Sequence, residues 1–417
     1  MKKLLIGTTA LVAGGLIAGS ALAAEKIVTA APEVIDDGFT VTWNGYIRAG
    51  IYAGDNDCTD AAGLACVGPA NNPPNLPVDA NGTTVPLNAE LQLFAEQTLA
   101  NGLRVGGEID FDIDNGDNQE VRIDEIWLFI DGNFGQIRVG RKEGALASLG
   151  GGALPGWGAF NGGTDGPDMA PLGGELGAAV AAIAIGSRGS IEDISGDAAK
   201  VTYLSPTFAG INFAASFSPD PQNQVANGSG LALNGNADEG WLNEWSVAAN
   251  YTVSFGDHTL LIAGGFTAAD AEKNNVQRGD VTIWKIAGSL KNSIGGVGGW
   301  YSVRDFDTFQ GAFETPNGTV VGTTTWGVTA NIVSGDYTVG GGYTRAEDDV
   351  YSRAGFNNTD NELDLWGIGI SKSLGTGVEM GVNATFEDYT GTYDANAATR
   401  GTNADGWLAG WYTAIAF

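Results

Sequence analysis

Cysteine and histidine are nearly absent from this sequence, which holds two cysteines and one histidine. A zinc site needs a set of Cys and His ligands close together, so with His258 as the only histidine we expect no metal site of this kind. Cys58 and Cys66 lie in one stretch rich in glycine, proline and asparagine. In an oxidising compartment this spacing favours a small loop disulfide over two free thiols.

Long apolar runs are absent after the first segment. Lys2 and Lys3 precede an uncharged run that ends at Ser20, and the sequence Ala-Leu-Ala follows. This order predicts a secretory signal peptide at residues 1–24, with a retained anchor helix as the alternative, and an N-terminal extension at residues 25–38. Nothing downstream reaches the roughly 18 apolar residues that a membrane-spanning helix needs, which excludes a helical membrane protein.

Basic residues are scarce as well. Lys and Arg number 20 against 49 Asp and Glu, a net charge of −29, so nucleic acid is not expected as a partner. The acidity fits attraction of cations, bridging by divalent ions to lipid head groups, or solvated loops. The chain is instead rich in glycine (65) with 11 Trp, 11 Tyr and 17 Phe but only 13 Pro, a composition typical of a β-barrel.

Short segments of the chain alternate apolar with polar or small residues, which is the period of a strand with two different faces. In the first of them Trp43 and Ile47 share one face, and Tyr46 and Arg48 share the other. In the next two, the acidic side chains Glu90, Asp110, Asp112 and Asp114 share a single face. A charge at the hydrocarbon midplane costs about 2–4 kcal/mol for Arg or Lys and less for Asp or Glu, so this face must meet water.

The alternation predicts an all-β fold, a transmembrane antiparallel β-barrel of about 16 strands over residues 39–417. We expect strands at 39–54, 87–98, 103–114, 121–131, 135–143, 199–205, 211–218, 241–255, 258–268, 280–291, 296–304, 322–333, 337–346, 362–372, 378–388 and 406–417. Breaks between strands are alternately short and long, as at the periplasmic and extracellular ends of such barrels. A soluble β-sandwich or β-helix is the alternative, but neither requires this two-sided loop bias.

Two segments resemble the proteobacterial general-diffusion porin family. IWLFIDGNFGQIRVGRKEG at 126–144 resembles its fourth and fifth strands, and VTYLSPTFAGINFAASFSP at 201–219 resembles its sixth and seventh. The terminal Phe417, after an alternating strand, resembles the signal read by the barrel-assembly machinery. The resemblance spans the mature chain and implies a bacterial outer-membrane porin, exported through the periplasm. It further implies a homotrimer, packed through the first and last strands, with outer-membrane lipid and lipopolysaccharide around it.

The resemblance also implies a constriction loop over about 145–198 that folds into the barrel. We expect its acidic side to be Asp165, Asp168 and Glu175. Basic residues are expected on the facing wall: Arg48, Arg104, Arg122, Arg138, Arg141 and Arg188. Facing rows of opposite charge in a narrow neck would filter solutes by size and polarity. The family often has an arginine where Glu90 stands, and with the lumen acids Asp110, Asp112 and Asp114 this predicts mild cation selectivity.

The expected function is passive diffusion of ions and small polar solutes, without catalysis or cofactor. A substrate-specific channel for sugar or phosphate is the alternative, although Trp157 and Phe160 are the only aromatics on the loop that we can place. A barrel enzyme is more remote, because it needs a nucleophile beside a base and His258 lies at a tight break. The acids at 110–114 are better explained as one face of a strand than as a calcium loop.

Overall fold

The computed structural model describes residues 33–35, 38–60, 80–85, 87–114, 121–151, 154–156, 193–221, 241–271, 279–307, 320–350, 361–393 and 400–417. Its strands in the first half of the chain are β1 Glu33–Ile35, β2 Phe39–Asp60, β3 Ala80–Thr84, β4 Leu87–Thr98, β5 Arg104–Asp114, β6 Arg122–Gly132, β7 Gly135–Arg141, β8 Ala199–Leu204 and β9 Ile211–Ser218. The second half contributes β10 Trp241–Phe255, β11 His258–Ala271, β12 Val281–Asn292, β13 Gly295–Phe306, β14 Val320–Ser334, β15 Tyr337–Val350, β16 Asn361–Gly375, β17 Val378–Tyr393 and β18 Arg400–Ala416. One short helix is described, α1 at Ala145–Gly150.

The strands close into one antiparallel barrel. Strands β4 to β18 pair in chain order, β4 also pairs with β2, and β18 returns to pair with β2, from Ala416 opposite Tyr46 to Thr402 opposite Asp60. The short strands β1 and β3 pair only with β2, β3 on the edge that β4 also uses. The wall therefore has 16 strands, and the predicted transmembrane antiparallel barrel is confirmed.

Alternation along each strand separates an outward face from an inward face. On β2, Ile51 is 54% exposed and the next residue, Tyr52, is 1% exposed. On β12 the exposed residues Trp284 and Ile286 flank the buried Lys285. Because a lysine between two large apolar side chains would be costly in hydrocarbon, the sequence itself sets which face points inward.

Tight turns lie at one end of the barrel. Gly256 and Gly335, with φ of 58° and 59°, occupy turns that connect β10 to β11 and β14 to β15. A positive φ costs glycine little, so these turns close at once. The connections at the opposite end are longer, such as the one between β7 and β8. In outer-membrane barrels the end with short turns is the periplasmic one.

The predicted strands differ from the observed ones mainly where polar residues continue a strand. β2 runs to Asp60 instead of residue 54, and β18 begins at Arg400 instead of 406. The main chains of the two strands continue to pair beyond the last outward-facing apolar residues. The strands β1 and β3 and the helix α1 were not expected. In the described part of the chain, no helix is long and apolar enough to cross a membrane.

Candidate functional site: the inner wall and the inserted segment

The connection after β7 enters the barrel at once. Leu146, in α1, is fully buried against the inward-facing side chains Ala248 of β10 and Ile283 of β12. Farther on, the carbonyl oxygen of Gly156 accepts a hydrogen bond of 2.8 Å from Asn331 of β14. The stretch described at 145–151 and 154–156 therefore lies inside the barrel, between β9 and β14, as an inward-folded loop should. We call this stretch the inserted segment.

Hydroxyl groups of the wall hold the start of α1. Ser216 Oγ accepts a bond of 2.9 Å from the amide of Ala145, and Ser246 Oγ accepts one of 3.0 Å from the amide of Leu146. The first amides of a helix have no partner within the helix, and Gly144 at the N-cap has no side chain to supply one. The wall thus takes the place of a capping residue.

A buried polar cluster ties the two ends of the connection together. Asp193 accepts bonds from the amides of Gly144 and Gly196, at 3.0 and 3.1 Å. Glu244 of β10 accepts bonds from the Ser195 hydroxyl at 2.6 Å and the Ile194 amide at 2.8 Å. Lys200 of β8 donates to the carbonyl oxygen of Lys142 at 2.5 Å and to that of Gly196. We call Asp193, Ser195, Lys200 and Glu244 the clasp.

The pKa values at the base of the connection reflect burial. Burial, and then the Glu244 carboxylate, raise the pKa of Asp193 to about 6, although Lys200 and the bonds it accepts oppose the shift. Burial, and then Glu143 and Asp124, raise the pKa of Asp197 to about 6. Both carboxyl groups therefore bind their protons more tightly than an ordinary aspartate does.

The inner wall on β4, β5 and β6 is acidic. The amide of Gln92 donates to Glu90 Oε1 at 2.6 Å and to Asp110 Oδ2 at 3.2 Å, so it links the two carboxylates. Asp112 stands opposite Glu90 on the neighbouring strand. One oxygen each from Glu108, Asp110 and Glu125 lies within 4.8 Å of the others. This is one of two sets of three carboxylates in the described part of the chain that are close enough to hold a cation.

Lys142 supplies positive charge to this acidic wall. Its Nζ lies 2.5 Å from Glu125 Oε2 and 3.3 Å from Glu143 Oε2. Glu125, Glu143 and Asp197 again bring one oxygen each within 4.8 Å. Burial opposes the charged ammonium, but Glu143, Glu125 and Glu108 outweigh it, so the pKa of Lys142 is raised.

Three of the arginines expected on the wall point inward. Arg48 lies 4.0 Å from the centroid of the Tyr46 ring. Arg138 lies 4.9 Å from the centroid of Trp127. Arg104, near the short-turn end, pairs with Asp131 at 2.8 Å and with Glu96 at 3.4 Å. The structure brings Arg48 to the neighbourhood of the acids on β4, but it does not gather the three arginines into one cluster.

Arg141 is placed differently from the other arginines. It stands opposite Ile126, which faces outward and is 43% exposed. Its guanidinium donates to the carbonyl oxygens of Asp197 at 3.2 Å and Ile123 at 3.3 Å. The register of β7 therefore sets Arg141 on the outward-facing side of the strand, where it holds main chain at the end of β7.

Other expected site residues are described only in part. The main chains of Asp114, Arg122 and Cys58 belong to β5, β6 and β2, but their side chains lie outside the described part. The remaining expected residues lie outside it entirely: Cys66, Trp157, Phe160, Asp165, Asp168, Glu175 and Arg188. Phe417 exchanges two main-chain bonds of 3.0 Å with Gly45 on β2. The His258 ring stacks on Phe255, and its Nδ1 lies 3.4 Å from the amide of Asn292.

The sequence did not predict the clasp, the ion pairs of Lys142 or the apolar side chains of the wall that pack against α1. The signal for Lys200 was present, because alternation on β8 puts this lysine between outward-facing residues. Asp193 and Ser195 lie in a connection without a period, so no pattern marked them. Ala248 and Ile283 were unexpected, because apolar residues on an inward face have a purpose only once the inserted segment covers them.

Comparisons with known proteins agree on one family and one fold. A family model described as Gram-negative porin matches residues 7–410. An anion-selective porin from Comamonas acidovorans is similar, with 14% identity, a TM-score of 0.57 and coverage of 91% of this chain and 100% of that chain. A mutant porin of Rh. blastica has 15% identity, a TM-score of 0.51 and coverage of 90% and 100%. No curated protein sequence matches significantly. At these identities the solved structures establish the fold alone.

Proposed function

Because the chain belongs to the Gram-negative porin family, we propose that this outer-membrane diffusion channel passes ions and small hydrophilic solutes passively, with a mild preference for cations. The observation that supports this most directly is the closed barrel of 16 strands with charged side chains on its inner wall. Barrels of roughly 16 to 18 strands leave room for an aqueous channel. The inserted segment then narrows that channel from within.

The proposed selectivity follows from the balance of charge on the described inner wall. Glu90, Asp110 and Asp112 lie on adjacent strands. Of the nearby bases, Lys142 is engaged by Glu125 and Glu143. A lumen with excess negative charge raises the local concentration of cations, and the effect weakens with salt. The Comamonas porin is described as anion-selective, but its identity to this chain is too low to transfer that property.

The reversal potential in a salt gradient across a planar bilayer tests the selectivity. We expect the sign of a cation-preferring pore, with the potential moving toward zero in the double variant Glu90→Gln, Asp112→Asn. Asp305→Asn is the matched control, because Asp305 lies on the exposed outward face of β13. Clear anion preference of the unaltered protein would overturn the proposal.

Aromatic residues on the described inner wall favour the general channel over a sugar-specific one. Phe94 and Phe129 stack at 5.7 Å, and Trp127 lies 5.7 Å from Phe129. Trp127 and Phe129 are 5% and 3% exposed, because Arg138, Lys142 and Arg104 lie over their rings. A sugar slide needs exposed aromatic faces, and these rings serve instead as a support for basic side chains.

We also propose that the protein is a homotrimer. Outward-facing Trp or Tyr residues form an aromatic belt on β10 to β18, which includes Trp284, Tyr301 and Trp366. Among the described residues, no outward position on β4 to β7 holds a Trp or Tyr. The large side chains exposed on the outward face of these strands are aliphatic, such as Leu128 and Val139.

Strand length points to the same face. β7 and β8 have 7 and 6 residues, fewer than the roughly 9–11 that span a membrane. Aromatic belts mark the parts of a barrel that meet the membrane interface. A face with short strands and aliphatic side chains in place of a belt therefore fits contact with another copy of the chain. This face adjoins β2, the first strand of the barrel, but it does not include the last strand, β18, where Trp407 and Trp411 are exposed. The proposed interface therefore differs from the expected one through the first and last strands. In single-channel recordings, a homotrimer should give three equal conductance steps per inserted unit.

The remaining partners are proposed on chemistry alone. Outward carboxylates near the long-loop end, such as Asp388 and the facing Asp405, suit bridging by divalent cations to lipopolysaccharide. Phe417 is the terminal aromatic after the last strand, and its main chain bonds to Gly45; we propose its side chain as the signal that the barrel-assembly machinery reads. We propose export through the periplasm with removal of residues 1–24.

A further inference from the structure

The outward face of the barrel carries a groove between β14, β15 and β16. Ala330, Gly341 and Ile368 stand side by side across the three strands. The cavity is about 330 Å³ and is lined by Ala330, Ile332, Val339, Gly341, Ile368 and their neighbours. This volume is at the lower end of the roughly 300–1,000 Å³ that ligand pockets occupy.

The groove arises because small residues lie between two rows of large ones. Toward the long-loop end, Val328, Tyr343 and Trp366 are aligned across the strands. Toward the short-turn end, Ile332, Val339 and Ile370 are aligned. Gly341 contributes no side chain between the two rows. The result is an apolar depression on the surface that faces lipid.

The groove lies in the periplasmic half of the membrane. Val339 is close to Tyr337, where β15 begins after the tight turn at Gly335. Ile332 is close to Ser334, where β14 ends. Since short turns mark the periplasmic end, the lipid that meets this groove belongs to the periplasmic leaflet.

A basic residue stands where the headgroup of such a lipid would be. Lys372 is opposite Tyr337 on the next strand, and its Nζ lies 5.2 Å from the centroid of the Tyr337 ring. Among the described residues, it is the only Lys or Arg on the outward face of the periplasmic half, and no described carboxylate forms an ion pair with it. Lysines near the ends of membrane segments extend their ammonium groups toward the interface.

We propose that this groove binds one anionic glycerophospholipid of the periplasmic leaflet, with its phosphate at Lys372 and an acyl chain between β14 and β16. The occupant follows from charge and position: a cation beside a tyrosine at the interface, directly below an apolar cavity. This site is separate from the lumen, so it extends the proposed diffusion function without depending on the selectivity of the pore.

Native mass spectrometry of the detergent-solubilised protein tests the site. Phosphatidylglycerol and phosphatidylcholine with identical acyl chains are added in turn, and the retained lipid is counted. We expect one retained phosphatidylglycerol per chain and weaker retention of phosphatidylcholine. Lys372→Gln should lower retention of phosphatidylglycerol about two- to fivefold, the range for a partly exposed ion pair. It should lower retention of phosphatidylcholine less, because the choline of that lipid offsets the negative charge of its phosphate.

Ala330→Phe should remove both lipids, because the added ring occupies the groove. Ala249→Phe is the matched control, since Ala249 is an exposed outward residue of β10, away from the groove. Circular dichroism and heat-dependent gel mobility show whether each variant has formed its barrel. Equal retention of the two lipids, or retention that Ala330→Phe does not change in a folded barrel, would overturn the proposal.

Discussion

Asp197 lies at the base of the inserted segment, half-buried, near the carboxylates of Glu143 and Asp124. An ordinary aspartate is ionised above pH of about 4, but burial, Glu143 and Asp124 raise the pKa of Asp197 to about 6. The group is therefore ionised above pH 6 and neutral below it. Because it binds its proton more tightly in the folded chain than in the unfolded one, its ionisation lowers stability as pH rises from about 4 to 6.

This titration predicts a pH-dependent selectivity. We expect cation preference, measured as reversal potential, to be larger at pH 8 than at pH 5, with much of the change centred near pH 6, because Asp197 adds negative charge to the lumen above that pH. Asp197→Asn should reduce the change. A reversal potential that stays constant across this range would contradict the assignment of Asp197 to the ion path.

At the scale of elements, the clasp decides how firmly the inserted segment is held. Lys200 is the basic member of a cluster that contains two carboxylates, Asp193 and Glu244, and it is 4% exposed. Removing one partner of a buried charge group costs about 3–5 kcal/mol, because the remaining charge has no compensation. The clasp therefore holds the start and the end of this connection in place.

Lys200→Met is expected to leave the barrel closed and to loosen the connection. Single-channel records should then show frequent brief changes of current, since the segment no longer rests against β10 to β14. Lys372→Met, on the outward face of β16, is the matched control and should leave the current steady. If Lys200→Met forms a barrel whose current is as quiet as that of the unaltered protein, the clasp does not hold the segment.

Periodicity predicts elements well where it is sustained. β4 and β9 were predicted with the observed bounds because apolar residues alternate along their full length. β1 and β3 have 3 and 5 residues, too few for a period to stand out from chance. The helix α1 has 6 residues and two glycines at its end, and it is stabilised by Ser216 and Ser246 from other strands. Such tertiary partners leave no mark in the local sequence.

Site residues were predictable only as members of a face. Alternation placed Glu90, Asp110 and Arg48 on the inward side of their strands. Alternation on β7 also puts Arg141 on the same outward face as Ile137 and Val139, so its expected place on the inner wall came from the family resemblance and not from the period. Pairings between distant segments, such as Lys200 with the main chain of Lys142, depend on the folded path of the connection.

At the scale of the whole molecule, closure of the barrel separates an outer surface that faces lipid from an inner surface that faces water. The main chain of Phe417 meets Gly45, and β18 pairs with β2 along its length, so no edge of the sheet is left open in the membrane. Apolar side chains then face lipid, and the charged ones around Glu90 and Lys142 face the interior. A channel that works in this way needs no conformational cycle and no saturable binding step.

The most direct test is single-channel conductance in a planar bilayer at increasing concentrations of potassium chloride. A water-filled pore predicts discrete, equal steps whose conductance rises nearly in proportion to the conductivity of the bath, with three steps per inserted unit. Conductance that saturates at low salt, or purified barrel that inserts without any conductance, would contradict passive diffusion through an open lumen.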